Sequence, residues 1–274
     1  AAMQLKADQL PAHLAGGELK AIYTIHGDAP LLAQEAADQV RAAARTAGFG
    51  DRQVFTVSGA HFDWSSVIGA AQSMGLFADQ QLIEVRIPSG KPGKEGSTAL
   101  QEYAERVGEG VLTLIHLPRL DRQQQQSAWF TALDKAGVSV RVDPVERAAL
   151  PRWIALRLAA QGQRVAVDEA GQQALAFFAD RVEGNLLAAH QELQKLALLY
   201  PAGELSFEQI ESAVLDVARY DVGQLGMAVL TGRTDRALRM LDGLKAEGES
   251  AVYVHIILSG DLRALRQARA AMDA

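Results

Sequence analysis

The chain has 274 residues, of which 49% are apolar and 22% charged, and this composition predicts two or three domains with hydrophobic cores. A formal net charge of −6 argues against a protein that coats DNA by bulk charge, because neutralising phosphates needs clustered lysine and arginine. The chain has no cysteine, which excludes disulfides, thiolate nucleophiles and cysteine-bound zinc and favours a cytoplasmic location. No apolar run approaches the roughly 20 residues that cross a bilayer, so no membrane partner is expected.

Strands and helices alternate through the first half of the chain. The predicted strands are Lys20–His26, Arg52–Val57, Gln81–Ile87, Val111–Leu117 and Ser139–Val142. The helices predicted between them are Leu31–Ala47, a segment from Trp64, Thr98–Val107 after a loop at Pro88–Ser97, and Asp121–Ala136. Such alternation predicts an α/β domain with a parallel five-stranded sheet and right-handed crossovers.

The alternation of strands and helices ends at Asp143-Pro144, after which only helices are predicted. A small helical domain is expected to follow, and Ser206 with Gln209 is typical of a capping box in it. A further helical part begins near Tyr220. The expected domains are therefore 1–143, 144–217 and 218–274. The helices predicted in the second and third domains are Leu150–Gly162, Asp168–Val182, Leu186–Leu199, Phe207–Val214, Gly223–Leu230, Thr234–Gly248 and Ser250–Met272.

The turn after the first predicted strand is where a nucleotide-binding protein keeps its phosphate loop. Such a loop needs several backbone amides, a lysine and a hydroxyl for magnesium. The stretch HGDAPLLAQE has one glycine, no lysine, no serine or threonine, and an aspartate where phosphate would lie. The strand that ends in Leu117-Pro118-Arg119 also lacks an acidic pair to hold magnesium. We therefore predict no nucleotide cofactor, no ATP hydrolysis by this chain alone, and a degenerate phosphate loop at Gly27, Asp28, Ala29 and Pro30.

Other chemistry is equally sparse in the sequence. None of the six histidines lies three or four residues from another, so helical metal pairs are absent. There is no G-x-S-x-G motif, and Asp63 and Asp79 are too far apart for an acid–base pair. No catalytic residue and no metal site are predicted. Three arginines follow one another at helical spacing near the end, where a solvated face or a subunit contact is favoured over phosphate binding: Arg263, Arg266 and Arg269.

An apolar cluster at 73–79 does not fit one buried helix face. Adjacent helical positions differ by about 100°, so Leu76 would point about 200° away from Met74 if the preceding helix continued. One stripe therefore cannot bury Met74, Leu76 and Phe77 together. Either Met74 and Phe77 are core residues with Gly75 as a simple C-cap, or an exposed Leu-Phe pair fills a pocket of a partner.

Together these segments resemble the delta subunit of the bacterial DNA polymerase III clamp loader. The resemblance implies that the first two domains have an AAA+-like fold with a decayed phosphate loop, and that the third is a helical collar through which loader subunits form a ring. Family members continue beyond a point like Ala274, which implies that only the first part of the collar is present. The resemblance is carried by YTIHGDAPLLAQE at 23–35, QSMGLFADQQLI at 72–83, SAWFTAL at 127–133, LPRWIALR at 150–157 and EGNLLAAHQELQKLALLYP at 183–201.

The resemblance also implies a function without catalysis: binding and opening of the ring-shaped sliding clamp. Leu76 and Phe77 match the residues that anchor in the clamp, with Met74 as a supporting contact. The implied partners are the sliding clamp (beta subunit), the gamma/tau and delta prime loader subunits, and primed DNA within the assembled loader. Two alternatives stay open, an NTPase with an unorthodox phosphate loop and a DNA-binding adaptor that uses Lys91, Lys94 and the C-terminal arginines.

Overall fold

In the computed structural model, residues 2–72, 80–215, 217, 222–246 and 248–272 are described. The chain divides into two units, Ala1–Pro144 and Val145–Ala274. Among the described residues, no helix has the length and apolar character needed to cross a membrane.

The first unit is built on a six-stranded sheet in which all strand pairs are parallel. Its strands are β1 (Met3–Lys6), β2 (Ile22–Gly27), β3 (Phe49–Thr56), β4 (Gln80–Arg86), β5 (Val111–His116) and β6 (Val138–Val142), in the order β1-β6-β2-β5-β4-β3. The prediction of a parallel α/β sheet is confirmed, but the count of five strands was wrong. The missed strand is β1, whose residues MQLK alternate between apolar and polar over only four positions, too short a run to identify a strand.

Helices cover both faces of this sheet. On one face, α1 (Leu10–Ala15) and α2 (Pro30–Thr46) enclose a core with the even-numbered residues of β4 and β5, such as Leu82 and Leu114. On the other face, α3 (Trp64–Gln72), α4 (Gly93–Arg106) and α6 (Ala128–Ala136) enclose a second core with odd-numbered residues such as Ile83. The two cores arise because successive side chains of a strand point to opposite faces.

Two helices of the first unit differ from their predicted bounds by more than two residues or by a break. The predicted loop Pro88–Ser97 is partly helical, since α4 begins at Gly93. Its Gly96 lies so close to the Trp64 ring that a Cβ there would overlap it, so this glycine serves packing rather than a turn. The predicted helix Asp121–Ala136 is broken into α5 (Arg122–Gln125) and α6, because Ser127 caps α6 by accepting the Phe130 amide at 3.4 Å.

The second unit is mainly helical. Its elements are α7 (Leu150–Ala160), β7 (Gln163–Val165), α8 (Glu169–Val182), α9 (Leu186–Leu199), β8 (Gly203–Leu205), α10 (Phe207–Val214), α11 (Val222–Leu230), α12 (Thr234–Ala246) and α13 (Ala251–Met272). The prediction of helices alone was wrong here, because β7 and β8 form a short parallel pair. Three-residue strands are too short to show a period of two. The buried Gln163 amide fixes this pair by donating to the carbonyls of Leu196 and Tyr200 at 3.0 and 3.1 Å.

The predicted helix start at Ser206 is confirmed in this unit. Ser206 and Gln209 form the predicted capping box of α10. Asn185 caps α9 by accepting the Ala188 amide at 3.0 Å. The unit holds one apolar cluster around α7 to α10 and another around α11 to α13. A domain boundary between them at 217/218 stays a prediction.

Candidate functional site

The predicted clamp-binding residues Met74, Leu76 and Phe77 lie outside the described residues. Their flanks are described: α3 ends at Gln72, and β4 begins at Gln80. The predicted apolar stripe of α3 is confirmed by the burial of Trp64 and Val67 and the partial burial of Ile68 and Ala71. The choice between core residues and exposed anchors therefore stays a prediction.

The degenerate phosphate loop lies at the carboxyl end of β2, where the order of the sheet reverses. After β2 the chain passes β5 and β4 to reach the edge strand β3, whereas after β5 it passes β2 in the opposite direction to reach β6. Crevices at such switch points are where open α/β sheets bind ligands. The fold thus places residues 27–30 where a nucleotide phosphate would be held.

The residues of that loop do not suit a phosphate. Gly27 has a φ of 140°, and a Cβ on it would overlap the Val142 carbonyl of β6. Close strand packing therefore explains this glycine without any ligand. Pro30 occupies the first turn of α2 and removes one of the free amides that a helix N-terminus offers to anions. Asp28 adds negative charge and pairs with Arg119 at 3.6 Å.

The neighbouring strand ends supply no acidic pair either. β4 ends in Val85-Arg86 and β5 in Ile115-His116, so neither places two carboxylates beside the loop to hold magnesium. Within the described part of the chain, no group of three or more metal-ligating side chains is arranged to hold a metal ion. The geometry of the described loop gives no support to nucleotide hydrolysis.

His26, directly before the loop, is a packed core residue. It is buried with its ring edge-on to Phe130 at a centroid distance of 5.2 Å. Burial lowers the pKa of His26, and the nearby Arg141 lowers it further. His26 is therefore held by packing in the core of the first unit.

A charged cluster on the α2 face of the sheet is the feature that sequence reasoning missed. Glu84, in the middle of β4, is 0% exposed. Its Oε1 accepts from Arg41 Nε at 2.6 Å and from Arg52 Nε at 2.7 Å. Its Oε2 accepts from Arg41 Nη2 at 3.0 Å, lies 3.2 Å from His116 Nε2 and stands 3.8 Å from Arg86 Nη2.

These contacts fix the charge of Glu84. Burial alone would raise the pKa of this carboxyl group, but hydrogen bonds from His116, Arg41 and Arg52 outweigh burial and hold the pKa far below its usual range. Glu84 is therefore an anion that orients the surrounding cations. The available signal in the sequence was one glutamate inside the apolar run QLIEVRI, because a buried carboxylate needs cationic partners.

The basic residues considered for DNA binding fall into separate units. Lys91 and Lys94 are exposed in the first unit, near the carboxyl end of β4. The three C-terminal arginines are exposed on α13 in the second unit. Each group is accessible, and neither forms a dense basic patch within its own helix or loop.

Comparison with known proteins places this chain in a family. A sequence model described as "DNA polymerase III, delta subunit" matches residues 23–143. DNA polymerase III subunit delta of Escherichia coli is 34% identical over 260 residues, which are 95% of this chain and 74% of that protein. The chain belongs to the DNA polymerase III delta subunit family. The corresponding subunit of Haemophilus influenzae is 31% identical over 265 residues, which are 93% of this chain and 73% of that protein.

A solved structure supports the same fold. The DNA clamp loader delta protein of Bacillus subtilis aligns with 94% of this chain and 76% of its own, with a TM-score of 0.58 and 18% identity. This confirms the predicted fold class. Membership of the delta family confirms the predicted resemblance and agrees with a subunit that has no catalytic activity of its own. As a polymerase subunit, the chain has other subunits of that assembly as partners.

Proposed function

We propose that this chain binds and opens a ring-shaped sliding clamp so that the clamp can be loaded onto primed DNA. The observation that carries the proposal is identity of 34% across 95% of the chain with a DNA polymerase III delta subunit. The solved delta protein with a similar fold is named a DNA clamp loader protein. The unsuitable phosphate loop adds independent support, because an opener of this kind works by binding and needs no nucleotide of its own.

The physical basis of the proposal is differential binding. Leu76 and Phe77 would enter an apolar pocket of the clamp, with Met74 as a supporting contact. Each large side chain that leaves water contributes about 1.5–3 kcal/mol. Opening follows if the chain binds an open or strained clamp more tightly than a closed one, since a ligand shifts an equilibrium only by its difference in affinity.

We propose three functional parts. Residues 1–143 form an AAA+-like domain that carries the clamp-binding tip, 144–217 form a small lid, and 218–274 begin a collar that contacts the gamma/tau and delta prime subunits. Exposed apolar side chains on the last three helices support a subunit contact there: Met227, Leu230, Leu238, Leu241, Val252, Tyr253, Ile256, Leu262 and Leu265. We also propose that the chain acts in the cytoplasm, where the bacterial chromosome is replicated.

The test is direct binding of the chain to the sliding clamp by isothermal titration calorimetry. We expect a saturable complex whose affinity is the same with and without ATP and magnesium, because the phosphate loop lacks the groups that would make binding depend on a nucleotide. Clamp binding that needs ATP would overturn the proposal and favour the NTPase alternative. Duplex DNA binding without clamp binding would favour the adaptor alternative.

A further inference from the structure

We propose that the groove beside Glu84 binds a small phosphate-bearing molecule through the guanidinium groups of Arg52 and Arg86. The residues that line the groove do not include the loop at 27–30, and the clamp-opening role does not require the groove. The groove has a volume of about 500 Å³ and lies between α2 and the carboxyl ends of β4 and β5. That volume is within the range of small-molecule sites, roughly 300–1,000 Å³.

The three arginines of the groove are not equivalent. Each of the three guanidinium nitrogens of Arg41 already donates: Nε and Nη2 donate to Glu84, and Nη1 donates to Asp38 at 2.7 Å. Arg52 donates to Glu84 through Nε alone at 2.7 Å. Arg86 comes no closer than 3.8 Å to the carboxylate, which is too long for a hydrogen bond.

Two guanidinium groups therefore keep donors available toward the groove. Among the described residues, the terminal nitrogens of the Arg52 side chain have no hydrogen-bond partner, and neither do the guanidinium nitrogens of Arg86. Their side chains are 46% and 45% exposed, so a ligand can reach both. Glu84 holds Arg52 in place by its Nε bond while leaving the outer edge of the guanidinium open.

The charge of the groove favours an anion. Against the three guanidinium groups of Arg41, Arg52 and Arg86 stand two carboxylates: Glu84, which pairs with all three, and Asp38, which pairs with Arg41. This leaves an excess of one positive charge. The residues that line the groove include no acid, because Glu84 lies buried beneath the arginines. Planar guanidinium forks match the oxygens of phosphate in a two-pronged geometry, and two adjacent forks suit a doubly charged group.

The walls of the groove favour a small organic phosphate over a duplex backbone. Ala33, Ala37, Leu117 and Pro118 supply an apolar surface that the body of a nucleotide-sized molecule could cover. A duplex needs several cations along a ridge that tracks its phosphates, whereas Arg52 and Arg86 flank a recess. The phosphate would lie on the arginines and the rest of the molecule against α2.

The experiment is calorimetric titration of the full chain with pyrophosphate and with adenosine monophosphate, both without magnesium. Arg86→Gln is the test variant, since Arg86 makes no hydrogen bond to Glu84 and its loss leaves the buried carboxylate with its other partners. We expect saturable binding that weakens at least about tenfold in the variant, because hydrogen bonds to charged groups are among the stronger ones. Arg45→Gln, which removes an equal charge from an exposed position of α2, should leave the affinity unchanged.

Two further measurements keep the proposal open to refutation. Arg52→Gln should weaken binding as well, and the thermal unfolding midpoint of each variant without ligand reports whether it is folded. Binding that is equal in the wild type and in folded Arg86→Gln would overturn the proposal, as would no binding of either probe at millimolar concentration. A single-stranded oligonucleotide that binds through Arg86 while both small probes fail would overturn the assignment to a small molecule.

Discussion

Replacing Leu76 and Phe77 together with alanine is expected to weaken binding to the sliding clamp by roughly 10²- to 10⁴-fold. The range follows from about 1.5–3 kcal/mol for each buried side chain, with about 1.4 kcal/mol for each factor of ten. Because the pair is proposed to face solvent in the free chain, the thermal unfolding midpoint should change little. Calorimetric titration with the clamp and a thermal unfolding scan measure the two quantities.

A matched control is available on α9. Leu198 and Leu199 are adjacent apolar residues that are 88% and 59% exposed, so Leu198→Ala with Leu199→Ala removes similar apolar surface from a different segment of the chain. This control should bind the clamp normally. A large fall in the unfolding midpoint of the Leu76/Phe77 variant would identify the pair as core residues and refute the anchor assignment.

Glu84→Gln is expected to destabilise the first unit by about 3 kcal/mol, the lower end of the range for breaking a buried ion pair. The lower end applies because Arg52 and Arg86 are half exposed and water can solvate them once the carboxylate is lost. The measurement is urea unfolding followed by tryptophan fluorescence. In a Trp153→Phe background the remaining tryptophans, Trp64 and Trp129, both belong to the core of the first unit, so the signal reports that unit alone.

The same carboxylate gives a pH dependence with a definite sign. The folded-state pKa of Glu84 is lowered, so its contribution to stability is complete above the unfolded pKa of about 4.3 and is lost as the pH falls below it. Between pH 4 and 3, the unfolding free energy of the wild type should fall more steeply than that of Glu84→Gln, by up to about 1.4 kcal/mol per pH unit. Glu105→Gln, at an exposed position of α4, should keep the wild-type slope. Equal slopes for wild type and Glu84→Gln would contradict the ion cluster.

The sequence predicted the elements whose local signals agree with the fold. β5 was predicted from its apolar run, and α10 from its capping box. The elements that were missed depend on partners far along the chain: β1 exists through its pairing with β6, and β7 through its pairing with β8. The break between α5 and α6 depends on a single serine cap, which a long helical pattern conceals.

The two candidate sites also differ in whether the sequence alone could predict them. The degenerate phosphate loop could be predicted because a missing lysine or hydroxyl is visible in a contiguous stretch. The Glu84 cluster could not, because its members come from β3, β4, β5 and α2, and only the sheet register brings Arg52 and His116 to one carboxylate. The excess of arginine donors in the groove is a property of that geometry rather than of any motif.

The most direct test of the clamp-opening account is release of a closed clamp from circular DNA by this chain alone. Labelled clamp loaded on a nicked circular plasmid is incubated with the chain in the absence of ATP and other subunits, and the clamp that remains on DNA is measured by gel filtration. We predict faster release with the wild type and with the Leu198/Leu199 control, and no acceleration with the Leu76/Phe77 variant. Acceleration that persists in the Leu76/Phe77 variant, or a wild type that binds the clamp without releasing it, would contradict the account.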